Sequence, residues 1–136
     1  MAMPIVKSER WPVRSGEDIV RVRQIVRRWA VELGFGLVDQ TKIVTAASEI
    51  ARNTVDHGGG GEVLVESLSE NARRGLRLVF EDKGPGIQNI EEALKDGFTT
   101  SRGLGLGLGG ARRLATEFSV ESRPGEGTRV SLTRWK

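Results

Sequence analysis

Two glycine-bearing segments constrain this chain more than any other feature. The first, Asp82-Lys83-Gly84-Pro85-Gly86-Ile87, sets an acidic residue directly ahead of a tight turn. The second, Gly103-Leu104-Gly105-Leu106-Gly107-Leu108-Gly109-Gly110, runs into a helical pattern. Glycine accounts for 18 of the 136 residues, about twice the usual share of ~7%. The excess is concentrated at 58–61 and 84–110, so it marks loops and not a flexible polymer. Between the two segments, Lys95 to Arg102 is short, polar and glycine-containing, suited to closing as a lid. A carboxylate with two glycine loops implies a module that holds a nucleotide by its base and its phosphates.

The hydrophobic content of 38% over 136 residues suits one domain spanning 1–136. No apolar run approaches the length of a bilayer span. The start, Met1-Ala2-Met3-Pro4, lacks the charged-then-apolar pattern of a signal peptide. The absence of cysteine excludes disulfides and thiolate metal sites and points to a reducing, cytoplasmic home. One histidine cannot make a zinc cluster. The net charge of +3 is too small to suggest nucleic-acid binding, and Arg21, Arg23, Arg27 and Arg28 read as a solvated helix face.

Periodicity predicts an edge strand at Ile5-Val6-Lys7 and then a helix capped by Ser15 or Gly16. That helix carries Ile19, Val22, Ile25, Val26, Trp29 and Leu33 at helical spacing and stops at Gly34. A second helix is expected from Val38 to His57. Strands follow at Glu62–Leu68 and Gly75–Glu81, joined by a Ser69–Arg74 hairpin loop. A short helix near Ile90–Lys95, the lid, a helix over Gly109–Phe118 and strands at Val120 and Thr128–Leu132 complete the order. Hairpins outnumber βαβ crossovers, so the expected fold is α+β: a two-layer sandwich with a mixed, mostly antiparallel sheet and helices on one face.

On the second helix, Glu49, Asn53 and His57 recur every four residues and share a face. An amide oxygen suits a hard cation, and a carboxylate one turn away can order a water or accept a proton. The alternative is a solvent-facing stripe of incidental polar residues. Asp82 at a strand end could accept from an exocyclic amine such as that of adenine, with Gly84 and Gly86 leaving room for a flat ring. An ordinary Asp-Lys-Gly-Pro-Gly turn would use the same residues. Gly105, Gly107 and Gly110 spell a literal GxGxxG, yet the loop-like residues before it offer no βαβ unit, so a Rossmann reading fails. What remains is a glycine loop presenting N–H groups and a helix start to phosphates, with hydroxyls from Thr99, Thr100 and Ser101 and a charge from Arg102.

In this order, Glu49-x-x-x-Asn53, Asp82-x-Gly84-x-Gly86 and Gly103-x-Gly105-x-Gly107 resemble the GHKL ATPase superfamily. It includes gyrase, heat-shock chaperones, mismatch-repair ATPases, histidine kinases and anti-sigma serine kinases. The resemblance spans about Ser48 to Thr128 and is similar above all to RsbT-type kinases, through Ser48–Asn53, Asp82–Ile87 and Asp96–Ser101. It implies ATP and Mg²⁺ as cofactors, with Asn53 on the metal and Glu49 as base or orienter of the attacking hydroxyl. Asp82 would meet the adenine amine, with Gly84, Gly86, Ile87 and Thr128 around the base and His57 near the nucleotide. Arg102, Thr99, Thr100, Ser101 and the run Gly103, Leu104, Gly105, Leu106, Gly107 would hold the triphosphate. The implied activity is a serine/threonine protein kinase acting on a STAS-domain antagonist and then binding a PP2C-type phosphatase. The alternative is an anti-sigma factor kinase that binds a sigma factor directly, or a nucleotide-dependent binding module without strong kinase activity.

Overall fold

Apolar residues alternating along five strands give the sheet one dry face, and the helices settle there. A computed structural model describes residues 5–87, 90–94 and 107–136 of the chain. In chain order the elements are β1 (Ile5–Val13), α1 (Gly16–Glu32), α2 (Leu37–Asp56), β2 (Gly61–Glu70) and β3 (Arg73–Asp82). There follow α3 (Ile90–Ala93), α4 (Gly107–Leu114), β4 (Glu117–Arg123) and β5 (Gly127–Trp135). The strands lie in the order β1-β2-β3-β5-β4, and all four pairings are antiparallel. The α+β, helices-on-one-face expectation is borne out. The expected lid, with Thr99, Thr100, Ser101, Arg102, Gly103, Leu104, Gly105 and Leu106, lies outside the described residues.

The core joins Val22, Val26 and Trp29 of α1 to Ile43, Ala47 and Ile50 of α2 and to Val63, Leu78, Phe80 and Leu132 of the sheet. Trp29 and Phe80 are among its largest fully buried side chains. Truncating either would cost about 3–5 kcal/mol. Alternate positions on the other sheet face carry ion pairs instead: Arg10–Glu62 at 2.6 Å, Arg77–Glu66 at 2.7 Å and Arg129–Glu81 at 3.9 Å.

Local chemistry sets the helix ends. Ser15 caps α1, its Oγ accepting from Asp18 N, while Asp18 Oδ2 accepts from Arg14 N at 2.9 Å. Gly34, at φ +85°, reverses the chain between α1 and α2. Arg134 then ties three elements together. Its Nη2 donates to Asp39 Oδ1 at 2.7 Å on α2, and its Nη1 donates to Leu114 O at 2.9 Å at the end of α4.

Three expectations are corrected. Strand β1 runs to Val13, well beyond Lys7, because Trp11 and Val13 face the helices. Between them in space, Glu9 Oε1 accepts from the indoles of Trp11 at 3.1 Å and Trp29 at 3.3 Å, which satisfies a carboxylate on the helix-facing side. Pro12 is tolerated since β1 is an edge strand. The second correction concerns α4, which ends at Leu114 and not at Phe118. Thr116 N donates to Thr133 O at 2.8 Å, drawing the chain onto the sheet so that Phe118 and Val120 pack on the core at strand spacing.

The β2–β3 loop is also tighter than the Ser69–Arg74 expectation. Pairing continues to Glu70 opposite Arg73, leaving Asn71 at φ 49° and Ala72 at φ 68°. Both left-handed angles are those of a type I′ turn, which favours Asn-Gly. A non-glycine residue there costs about 1–2 kcal/mol, and glycine's extra unfolded-state entropy offsets ~0.5–1 kcal/mol of the relief. Ala72→Gly is therefore expected to stabilise the fold by about 0.5–1 kcal/mol, seen as a melting point raised by ~2–4 °C. A lowered midpoint would mean that Ala72 carries no strain.

Candidate functional site

At one end of the sheet a single cross-strand row runs Val13, Gly61, Asp82, Thr128, Ser122, one residue from each strand. The neighbouring row is Trp11, Val63, Phe80, Val130, Val120, and most of it is core. Since strand side chains repeat every two residues, Asp82, Thr128 and Ser122 project to the same helix-covered side. They line a cleft of about 520 Å³ at this end of the sheet together with Val120, Gly127 and Ile90 of α3, and the cleft wraps past the strand ends to Glu81, Glu121 and Arg129 of the opposite face.

Asp82 is the last residue of β3. Its Oδ1 accepts from Gly84 N at 2.9 Å, closing the turn that follows. The turn and the binding reading thus share one carboxylate, whose oxygens have several acceptor positions. Gly58, just past the end of α2, presses against this side chain: a Cβ there would meet the Asp82 carboxylate and lie 2.6 Å from its Cβ. Gly84 in turn sits on the Gly58 backbone, where a Cβ would come within 2.7 Å of Gly58 Cα.

The rest of the glycine turn is stitched to the β4–β5 hairpin. Gly86 has φ +77°, and a Cβ on it would run into the Arg123 carbonyl. Gly125 N donates to Pro85 O at 2.7 Å, and Ile87 N donates to Ser122 Oγ at 2.7 Å. Gly86 and Ile87 are therefore held in place by strand residues far away in sequence.

On α2 the buried stripe includes Ile50, Ala51 and Thr54, while Glu49 and Asn53 are half-buried at its border and His57 is exposed. Asn53 O accepts from the N–H groups of His57 at 2.9 Å and Gly58 at 3.2 Å, ending the helix against the acidic turn. None of Glu49, Asn53 and His57 lines the cleft. They are linked to it through Gly58. Gly107 begins α4. Among the described residues no three His, Cys, Asp or Glu side chains gather as a metal cage, and no helix is long and apolar enough to cross a membrane.

Ser122 is the site residue that pattern reading missed. Placing Phe118 in a helix hid the Phe118-Val120-Ser122 alternation that brings its hydroxyl to the cleft.

The profile of histidine kinase-, DNA gyrase B- and HSP90-like ATPases matches residues 38–136, which contain every element of this cleft. The chain belongs to that ATPase family. Within it, the chain is 48% identical over 118 residues to the serine/threonine-protein kinase RsbT of Bacillus subtilis, covering 87% of this chain and 89% of the relative. It is 31% identical over 119 residues to the anti-sigma F factor of Bacillus licheniformis, covering 82% and 80%. Among solved structures, the RsbU and RsbW domains of a Mycobacterium tuberculosis protein align over 96% of this chain with a TM-score of 0.62 and 21% identity. The chain spans only 33% of that structure. The mycobacterial sensor histidine kinase MprB aligns over 95% of this chain and 97% of its own, with a TM-score of 0.56 and 22% identity. At such identities the two structures speak for the fold. Membership in the ATPase family implies ATP use.

Gly58→Ala is expected to push the Asp82 carboxylate aside without unfolding the chain, because Gly58 borders the turn and lies outside the core. With Asp82 read as a nucleotide acceptor, as its sequence context suggests, displacing one charge-assisted hydrogen bond worth ~1.5–3 kcal/mol should lower ATP affinity about tenfold or more. Calorimetry beside a melting curve checks it, and unaltered affinity would detach Asp82 from nucleotide binding.

Proposed function

We propose that the chain is an ATP-dependent serine/threonine protein kinase that works by partner switching in the cytoplasm. Its substrate would be a hydroxyl on a STAS-domain antagonist, and phosphorylation would release the kinase to engage a PP2C-type phosphatase. One observation carries the reading: Asp82 is held at the mouth of an open cleft, in register with Thr128 and closed in by Gly58. The similarity to a serine/threonine kinase supports the choice of activity.

In this reading Asp82 accepts from the adenine amine, and Gly84, Gly86, Ile87 and Thr128 enclose the base. Glu49 orients or deprotonates the attacking hydroxyl from the border of α2. Arg102, Thr99, Thr100, Ser101 and the glycine run are assigned to the triphosphate on their sequence alone. Asn53 fits a Mg²⁺ site, since one amide oxygen completed by phosphate oxygens and water is a donor set this ion accepts. Bound there, Mg²⁺ would neutralise charge on the phosphates during transfer. Adding a phosphate to the partner weakens their contact by placing charge on a packed surface.

The anti-sigma reading has its own support in the similarity to anti-sigma F factors. Labelled ATP, the chain and a purified STAS domain distinguish the two. Phosphoserine or phosphothreonine on the STAS domain supports the kinase. ATP-dependent capture of a sigma factor without label transfer favours the alternative.

Asn53→Ala should lower label transfer by about 10²–10³-fold, the usual loss when an electrostatic stabiliser is removed, with the melting point preserved because Asn53 lies off the core. Undiminished transfer would take Asn53 out of the metal site. Asp82→Asn should weaken ATP about tenfold and narrow its preference over GTP. Equal affinity by calorimetry would reduce Asp82 to a turn residue.

A further inference from the structure

Resting on the base-pocket reading of the same cleft, we infer that Ser122 sets its preference for a 6-aminopurine by holding the Thr128 hydroxyl as an acceptor. Ser122 Oγ lies 2.7 Å from Ile87 N, 2.9 Å from Gly127 O and 2.9 Å from Thr128 Oγ1. A hydroxyl has one hydrogen and two lone pairs. The Gly127 carbonyl only accepts and belongs to a buried residue, so we assign the Ser122 hydrogen to it. The N–H of Ile87 only donates, so it takes one lone pair. In the remaining contact Ser122 has no hydrogen left to give, and Thr128 is the donor.

Thr128 has then used its only hydrogen and can turn only lone pairs toward the cleft. Its register partner Asp82 already has Oδ1 engaged by Gly84 N, and an ionised carboxylate likewise only accepts. The sheet therefore presents two side chains that both ask for donors. A 6-aminopurine supplies them through its exocyclic amine. A 6-oxopurine brings an acceptor to the same place and leaves these half-buried acceptors unmatched, which is the stronger form of discrimination. Ser122 is a positioning residue: it acts through Thr128 and through the turn it pins at Ile87.

Losing the Ser122 hydroxyl frees the Thr128 hydrogen to rotate into the cleft and meet O6. The measurement is ATP and ITP affinity by calorimetry, with a melting curve for each protein. Ser122→Ala is expected to weaken ATP about five- to tenfold while ITP holds or tightens, so that the ATP:ITP ratio falls at least ~5-fold. A purely structural role would loosen both nucleotides alike and leave the ratio unchanged. Ser122→Thr, which keeps a hydroxyl, should retain the ratio. Thr128→Val should lower it, and adding Ser122→Ala to Thr128→Val should lower it no further.

An unchanged ratio in Ser122→Ala, with Asp82→Asn still weakening ATP, overturns this inference and leaves the base pocket standing. Undiminished ATP binding in Asp82→Asn removes the base pocket and this inference with it. Should Ser122→Ala not fold, Thr128→Val and Ser122→Thr decide the matter. A ratio untouched by Thr128→Val, or lost in a folded Ser122→Thr, overturns the assignment.

Discussion

The register of the antiparallel sheet is the constraint on which the rest depends. Gly61, Asp82, Thr128 and Ser122 meet only because four strands align them. A slip of one residue would send every side chain of a strand to the other face and take Asp82 out of the row it shares with Gly61 and Thr128. The adjoining row of Val63, Phe80 and Val130 forbids it, since the same slip would carry buried apolar groups into water. Each such side chain contributes about 1.5–3 kcal/mol by burial. Hydrophobic packing one row away thus holds a polar site in alignment.

Polar anchors do comparable work between layers. Glu9 receives two indole N–H groups from different elements, and Arg134 reaches α2 and the last residue of α4 from β5. The Asp39 side chain in that pair is 44% exposed, against 18% for Arg134, so solvent weakens the charge term and geometry matters more. These contacts orient the helices over the sheet; the core supplies the cohesion.

Legibility followed the range of the forces involved. The helices α1 and α2 were readable because Val22, Val26, Trp29, Ile43, Ala47 and Ile50 repeat at helical spacing, and Ser15 and Gly34 mark ends by local chemistry. Asp82, Gly84 and Gly86 stood out as a turn beside a strand. Their confinement did not, since it arises from Gly58, Arg123 and Ser122, which are distant in sequence. The same holds for β1 beyond Lys7. Glu9 and Pro12 look unsuited to a strand until a pair of tryptophans and an unpaired edge accommodate them. Phe118 was misplaced because a lone aromatic fits either period, and a bond to β5 decided between them.

The topology also orders events in time. Gly61 and Asp82 face each other within the β2–β3 hairpin, and Thr128 and Ser122 within the β4–β5 hairpin. Each half can assemble from neighbouring residues, on the microsecond scale typical of hairpins. The β3–β5 seam that unites them spans the chain from Asp82 to Thr128, and β1 must cross two helices to reach β2. Such distant closures are slow because loop entropy is lost before contacts compensate it. The cleft accordingly exists only once the two hairpins have docked, so the site depends on a pairing between residues distant in the chain.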